Sequence, residues 1–302
     1  MARQPRIKYT EELKAEIWHK YKQGESLWSI ARSLNRSSSS IYRQLARNRA
    51  LGDIVENKLG LHWSPEQITG WLKKTYSSNE NHQVSHETIY RSLFVQARGA
   101  LKKELQQYLR SRRTIRRAKQ SSLKGHGLGG MPNAISISQR PASVEDRAVP
   151  GHWEGDLIAG THGSCMATLV ERHSRYVMLV KLDSKRTETV VAALIKQAHK
   201  LPRELYKSLT WDRGTEMKAH QQFTLATDIQ VYFCDPRSPW QRGSNENTNR
   251  LLRQYFPKRT DLSVHSQEEL DRVARELNER PRKTLDFETP ADRFNACVAT
   301  IH

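Results

Sequence analysis

The pattern of apolar residues changes at Gly151, and the stretch after this glycine constrains the fold more than any other part of the 302-residue sequence. Three apolar or alternating runs are separated by short turns: GHWEGDLIAG, SCMATLVERHS and RYVMLVKLD. Runs of this length, divided by turn residues, are typical of consecutive strands in a sheet. We therefore predict that an antiparallel three-stranded meander opens a domain that covers residues 149–302.

Helical and strand patterns alternate after this meander. RTETVVAALIKQAHKL has the spacing of an amphipathic helix, and KAHQQFTLAT predicts a shorter one. YKSLTWDRGTEM and IQVYFCDP predict a fourth and a fifth strand, and another helix begins within SPWQRGSNENTNRLLRQYFPK. Three strands followed by alternating helices and strands indicate the ribonuclease H-like fold, an α/β architecture with a mixed sheet.

Three acidic residues occupy separate places in this order of elements. Asp156 lies in the middle of the first strand, Asp212 ends the fourth strand, and Glu246 opens the late helix. Hard divalent cations such as Mg²⁺ prefer oxygen ligands and take few carboxylates, which leaves room for water and phosphate. Three such acids could hold two ions about 4 Å apart, one near an attacking oxygen and one near a leaving oxygen. Glu154 shares a strand face with Asp156 and could be a neighbouring acid or a ligand.

The first 50 residues have helical spacing instead. GESLWSIARSLNRSSSSIYRQLARN predicts two short helices joined by a tight turn, the first capped by Ser26 and the second by the serines from Ser37 to Ser40. Ile41, Tyr42 and Leu45 are the predicted inward residues of the second helix. Such a helix-turn-helix places its second helix in the major groove of DNA, whereas an ordinary three-helix bundle with a solvated face is the alternative. The side chains predicted to face base edges and phosphates are Ser39, Ser40, Arg43, Gln44 and Arg47.

A second helical region is predicted over residues 51–110. SPEQITGWLKK begins with Ser64 as a cap, Pro65 at the first helical position and Gln67 completing a capping box. SHETIYRSLF predicts a further helix, and the pair either contacts DNA or supports the first 50 residues. Residues 111–148 are basic and rich in Gly, Ser and Pro, which predicts a linker or an arm along phosphates.

Charge is concentrated in the first half of the chain. Residues 1–150 contain 27 Lys and Arg against 12 Asp and Glu, a net charge of +15, whereas residues 151–302 contain 23 against 20, a net charge of +3. A basic half predicts a polyanionic partner, most simply nucleic acid. Three widely spaced cysteines exclude a disulfide framework and a four-cysteine zinc site. The N-terminus MARQPRIKYT lacks the apolar stretch of a signal peptide, so we expect a cytoplasmic protein without a membrane span.

These motifs resemble those of one family over nearly the whole chain. HWEGDLI, LTWDRGTEM and CDPRSPWQRGSNENTNRLLRQYFPK are similar to the three signature blocks of DDE transposases of the insertion-sequence-thirty family, which are relatives of retroviral integrases. The stretch 277–294 resembles the block that closes this catalytic domain, and the helix-turn-helix stretch resembles the family's N-terminal reader. The resemblance implies that Asp156, Asp212 and Glu246 are the catalytic acids and the ligands of Mg²⁺ or Mn²⁺.

The resemblance also gives a reason why Glu246 is the one acid in its stretch. An acid that binds metal beside a polyanionic substrate is best surrounded by uncharged amides, because further acids would repel phosphate. Arg250 lies one helical turn from Glu246 and Arg253 two turns, so all three are predicted to share a face. We expect both arginines to contact DNA, with Arg253 gripping a phosphate of the bound strand.

The implied function is transposition. The helix-turn-helix would bind double-stranded DNA at the inverted repeats of a bacterial insertion element, and the catalytic domain would cleave a strand and join it to target DNA. A homo-oligomer at the nucleoid is expected, because two element ends must be joined together. Two alternatives are a DNA-binding regulator with an inactive second domain and a metal-dependent nuclease that cuts without joining.

Overall fold

The computed structural model divides into two compact units, residues 1–109 and 110–302. The predicted basic linker lies outside the described residues as far as residue 132. None of the helices in the part of the chain that the structure covers is long and apolar enough to cross a bilayer. The described residues are 9–79, 82–94, 133–141, 144, 147–235 and 238–301.

Three helices pack around a small apolar core at the start of the first unit. They are α1 (Glu11–Lys22), α2 (Leu27–Ser33) and α3 (Ser38–Gly60). Each helix begins at a cap whose side-chain oxygen accepts a backbone N–H, and these caps are Thr10, Ser26 and Ser37. The buried side chains that the three helices share are Ile17, Ile30, Ala31, Ile41 and Leu45. Because α3 continues to Gly60, the boundary predicted after residue 50 falls within one continuous helix.

The register of α3 differs from the prediction at two positions. Gln44 is 5% exposed and lies on the buried face with Ile41 and Leu45, so the prediction that it faces outward is wrong. Tyr42, predicted to face inward, is 61% exposed. Ile41 and Leu45 define a stripe with Tyr42 on one side and Gln44 on the other, and the packing of α1 and α2 selects the side that is buried.

A second pair of helices completes the described part of the first unit. The helix α4 (Pro65–Thr75) begins with the predicted capping box, in which Ser64 and Gln67 satisfy each other's backbone N–H. The helix α5 (His86–Phe94) packs against α4. Their core contains Leu59, Trp63, Ile68, Leu72 and Ile89.

In the described residues of the second unit, five strands form one mixed sheet in the order β3-β2-β1-β4-β5. The meander pairs antiparallel, whereas β4 and β5 are parallel to β1 and to each other. This topology confirms the predicted α/β class and the ribonuclease H-like mixed sheet. The strands are β1 (His152–Ala159), β2 (Cys165–Glu171), β3 (Val177–Leu182), β4 (Ser208–Trp211) and β5 (Gln230–Phe233).

Helices cover both faces of this sheet, and strand β2 is buried along its whole length. Ala167 and Leu169 belong to a core on one face, whereas Met166 and Val170 belong to a core on the other. This alternation results from the two-residue period of a strand. The helices are α6 (Thr187–Ala198), α7 (His220–Thr227), α8 (Gly243–Leu252), α9 (Gln267–Asn278) and α10 (Pro290–Ile301).

The segment before β1 pairs with the edge of the sheet. Phe233 in β5 donates its backbone N–H to the Ile135 carbonyl at 2.8 Å, and Ser136 bridges to Phe233 in parallel. The Ser136 hydroxyl donates to Asp235 at 3.1 Å, and the side chain of Ile137 is buried. The C-terminal part of the predicted linker therefore contains residues that cover an otherwise open sheet edge.

Candidate active site

Two of the predicted acids lie on neighbouring parallel strands. Asp156 is in β1, on the face that α8 covers, and Asp212 directly follows β4. The Trp211 ring packs over Gly155, on the face of the sheet opposite to Asp156. A Cβ at position 155 would lie 2.1 Å from this ring, so a larger residue would displace it.

An arginine holds these two carboxylates. Nη1 of Arg242 lies 3.1 Å from Oδ1 of Asp156, and its Nη2 lies 3.0 Å from Oδ2 of Asp212. Arg242 also donates from Nη1 to the Gly155 carbonyl at 3.1 Å. Arg242 ends a short 3₁₀ turn, Pro239–Arg242, immediately before α8. One guanidinium therefore bridges the first strand, the fourth strand and the start of the late helix.

The electrostatics of this cluster depend on burial and on the short distance between the acids. Burial raises the pKa of Asp156, and the charge of Asp212 raises it further, while Arg242 opposes both effects. Burial alone would lower the pKa of Arg242, but the two carboxylates raise it overall. Two acids that share a site repel each other unless a cation lies between them. The cluster is therefore built to hold positive charge.

Glu246 lies four residues after Arg242 in the sequence, but its carboxylate pairs with Arg250 and not with the cluster of Asp156, Asp212 and Arg242. It lies in the first turn of α8, is exposed, and forms an ion pair with Arg250 one helical turn later. Among the described residues, no group of three or more Asp, Glu, His or Cys side chains could hold a metal ion. The structure thus brings Asp156 and Asp212 together and turns the Glu246 carboxylate toward Arg250.

Asparagines fix α8 along β1. Asn245 is fully buried and donates from Nδ2 to the Glu154 carbonyl at 2.9 Å and to the Thr168 carbonyl at 3.3 Å. One turn later, Asn249 donates from Nδ2 to Oδ2 of Asp156 at 2.9 Å. These amides orient the helix and one carboxylate without adding charge. Asn249 and Arg242 contact the two carboxylates but were not among the predicted site residues, although both lie in the same block as Glu246.

Glu154 has a structural role. It is fully buried, lies 3.2 Å from Nε of Arg172, and accepts the backbone N–H of Asn245 at 3.0 Å. A carboxylate that is closed off in this way is not open to a metal ion. The sequence left open whether Glu154 is a ligand, and its surroundings indicate a structural ion pair that anchors the start of α8.

Comparison with known proteins agrees with this geometry. The integrase core domain family matches residues 146–239, which contain Asp156 and Asp212. The chain is 43% identical over 320 aligned positions to the transposase InsI of insertion sequence IS30A from Escherichia coli K12, covering 96% of this chain and 82% of that protein. It is 40% identical over 313 positions to the transposase of IS1086 from Cupriavidus metallidurans, covering 93% and 91%. The chain belongs to the IS30 family of transposases.

The two arginines of α8 that were predicted to contact DNA differ in their surroundings in this transposase. Arg250 is exposed on α8 beside Glu246, as the helical spacing predicts. Arg253 is the cap residue after the last residue of α8. Its guanidinium donates to the carbonyls of Ala159 and Phe256 at 3.3 and 3.4 Å, so these contacts hold it against the protein. Burial lowers the pKa of Arg253, which fits a side chain that is partly withdrawn from water.

The predicted reader residues of the transposase lie along α3. Ser39 and Arg43 are exposed, and Ser40 shares a hydrogen bond with the hydroxyl of Tyr9. The side chain of Arg47 lies outside the described residues, although its backbone continues α3. With Gln44 buried, the outward set that remains is centred on Ser39 and Arg43.

Proposed function

We propose that this transposase binds the inverted repeats of its insertion element and catalyses metal-dependent DNA cleavage and strand transfer. One observation carries the proposal: Asp156 and Asp212, contributed by adjacent parallel strands, are clamped on a single cationic group. Carboxylates in this arrangement repel each other in the absence of a cation, so they favour the binding of a hard divalent ion.

The donor set fits Mg²⁺ or Mn²⁺. Asp156 and Asp212 supply carboxylate oxygens that remain partly exposed, and Glu246 would be the third ligand after it separates from Arg250. A bound pair of such ions supplies activation of the attacking oxygen and stabilisation of the leaving oxygen. Arg242 must leave the carboxylates before an ion can take its position between them.

The protein's own groups prepare the site for this chemistry. Asn249 holds one oxygen of Asp156, and the backbone N–H of Leu157 donates to the other at 2.9 Å. The backbone N–H of Gly214 donates to Asp212, also at 2.9 Å. These bonds keep both carboxylates in fixed rotamers. Arg242 and Arg250, once released from the acids, would have guanidinium groups available for a DNA phosphate.

The partner in this proposal is double-stranded DNA, both at the element ends and at the target site. The basic first unit supplies the binding surface through the exposed face of α3. Cleavage frees a 3′-hydroxyl, which attacks target DNA by direct transesterification without a covalent protein intermediate. Two ends must be held together for joining, so the active form is a homo-oligomer that works at the bacterial nucleoid.

The test is metal-dependent cleavage and joining of duplexes that carry the element ends, with full-length protein. Asp156→Ala, Asp212→Ala and Glu246→Ala should each reduce both reactions by at least about a thousandfold, because each removes a ligand of the reacting centre. Binding to the same duplexes without added metal should stay within about threefold of the parent.

Asp228→Ala is the matched control, because Asp228 is an exposed acid at the end of α7 that pairs only with exposed Arg203 in the described structure. It should leave cleavage and joining unchanged. Cleavage that survives in any of the three acid variants contradicts the assignment of that acid. Cleavage without joining by the parent protein favours the nuclease alternative, and selective binding without either reaction favours the regulator.

A further inference from the structure

The outward face of α3 contains an aromatic residue at its centre. Ser38, Ser39, Tyr42, Arg43 and Ala46 are exposed over the first turns after the Ser37 cap. In a helix-turn-helix, the residues near the start of the second helix contact base edges. Tyr42 therefore occupies a position from which a side chain reaches into the groove, a role predicted from the sequence for Gln44.

None of the described residues of the first unit covers this ring. Tyr42 is 61% exposed and Trp28 on α2 is 66% exposed, which makes them the two most exposed aromatic side chains that the structure describes. Their surroundings favour an anionic partner, because residues 26–50 contain five arginines and no Asp or Glu. An exposed apolar group on a strongly basic helical surface indicates contact with DNA at that surface.

Three outward side chains of α3, those of Ser39, Tyr42 and Arg43, offer different kinds of contact to DNA. The Ser39 hydroxyl and the Arg43 guanidinium can form hydrogen bonds with base edges, whereas the Tyr42 ring offers mainly an apolar surface. The apolar group that the major groove presents is the C5 methyl of thymine. We propose that Tyr42 is a specificity-determining residue that packs its ring against a thymine methyl group in the end sequence. This inference depends on the proposed function, in which α3 enters the groove of DNA.

Trp28 provides a contrast on the same surface. It lies at the start of α2, and the Arg32 guanidinium stacks 5.0 Å from its ring. In a helix-turn-helix the first helix crosses the sugar-phosphate backbone, where contacts fix position but carry little sequence information. We therefore expect Trp28 to contribute to affinity for every duplex and Tyr42 to contribute to selection.

The experiment begins with duplexes that the full-length protein selects from a randomised pool in the absence of divalent metal. Each thymine of the selected site is then replaced, one at a time, by deoxyuridine, which removes only the methyl group. Binding is measured by fluorescence anisotropy, at a salt concentration low enough for every variant to be titrated. Thermal unfolding of each variant checks that substitution at these exposed positions leaves the fold intact.

At one or more positions, deoxyuridine should weaken binding of the parent by about fourfold, the effect of burying one methyl group. Tyr42→Phe keeps the ring and should show the same loss. Tyr42→Ala should bind the thymine duplex more weakly and lose the dependence on the methyl group. Trp28→Ala should bind all duplexes more weakly and retain the fourfold effect.

Failures of the two proposals give different results. If the parent selects no sequence from the pool, sequence-specific end binding fails, and the inference about Tyr42 fails with it. If the parent selects a site but no thymine methyl matters, or if Tyr42→Ala retains the methyl effect, the inference is overturned while end binding stands. Loss of the effect in Trp28→Ala would also overturn it, because the methyl contact would not then belong to Tyr42.

Discussion

At the scale of single residues, Arg242 decides the electrostatic state of the candidate site. Its guanidinium offsets the charge of both Asp156 and Asp212, so Arg242→Gln leaves two close carboxylates without a counter-charge. We predict that this variant is less stable by about 1–3 kcal/mol when a chelator removes divalent metal. Added Mg²⁺ should then raise its unfolding temperature more than that of the parent, because no arginine has to be displaced. Thermal unfolding with and without Mg²⁺ measures both effects.

Arg250→Gln is the matched control for Arg242→Gln. Arg250 is also an arginine paired with a predicted metal ligand, but its ion pair with Glu246 is exposed, and such pairs contribute at most about 1 kcal/mol. Its unfolding temperature in chelator should stay close to that of the parent. Equal stability and an equal response to Mg²⁺ in parent and Arg242→Gln would show that Arg242 does not compete with metal.

His152 is a second residue whose surroundings make a measurable prediction. Its Nδ1 lies 2.8 Å from the Ser208 hydroxyl, and burial, assisted by the charges of Lys207, Arg172 and Arg140, lowers its pKa to about 4. The unfolded chain binds a proton near the ordinary pKa of about 6.5, before the folded protein does. Stability is therefore fully present above about pH 6.5 and is lost as the pH falls toward 4.

The expected loss from His152 is at most about 2 kcal/mol between about pH 7 and pH 5. His152→Gln has no proton to gain in this range, so the difference between the two proteins isolates the contribution of the histidine. Urea unfolding of both proteins at the two pH values provides the measurement. Identical pH dependence in parent and variant would mean that His152 is protonated as easily in the folded protein as in the unfolded chain.

At the scale of elements, the position of α8 against β1 determines whether the third acid can join the first two. Asn245 makes this connection through four hydrogen bonds to β1 and β2, while Glu246 and Asn249 follow on the same helix. Asn245→Ala keeps the backbone N–H bond but removes the three that involve the side chain, leaving buried polar groups unpaired. We predict a loss of about 3 kcal/mol in unfolding free energy, together with reduced DNA cleavage.

Asn247→Ala tests whether the effect of Asn245→Ala belongs to that position. Asn247 lies two residues further along α8 and is exposed, so its replacement should change stability by no more than about 0.5 kcal/mol. Urea unfolding and cleavage assays on both variants provide the comparison. If the two variants behave alike, α8 is not held in place by Asn245.

The elements were predictable from the sequence to a large extent, whereas the choice of face was not. The five strands and the helices α6, α7 and α8 were indicated by apolar runs and turn residues, because burial in the sheet requires those patterns. Gln44 and Tyr42 flank the same apolar stripe, so only packing against neighbouring helices determines which is buried. The role of Arg242 could not be predicted because its contacts depend on tertiary structure. A short turn places its guanidinium between two strands, and no local pattern in the sequence indicates that position.

At the scale of the whole molecule, the excess positive charge and the candidate chemistry lie in different halves of the sequence. The first 150 residues have a net charge of +15, and the cluster of carboxylates lies in the remainder, whose net charge is +3. Cations that contact phosphates displace counterions from DNA, so each contact adds to the dependence of binding on salt. The salt dependence of end binding should therefore arise mainly from the basic half of the chain.

A pair of arginine substitutions tests this division. Arg32→Ala removes an exposed charge beside Trp28 on α2, and it should reduce the slope of log affinity against log salt concentration by about 1. Arg203→Ala removes an exposed charge in the second half of the chain, paired with Asp228, and should leave the slope unchanged. Titration of element-end DNA at several salt concentrations, without divalent metal, measures both slopes. A reduced slope for Arg203→Ala with none for Arg32→Ala would reverse the assignment, because phosphates would then be neutralised by the second half of the chain.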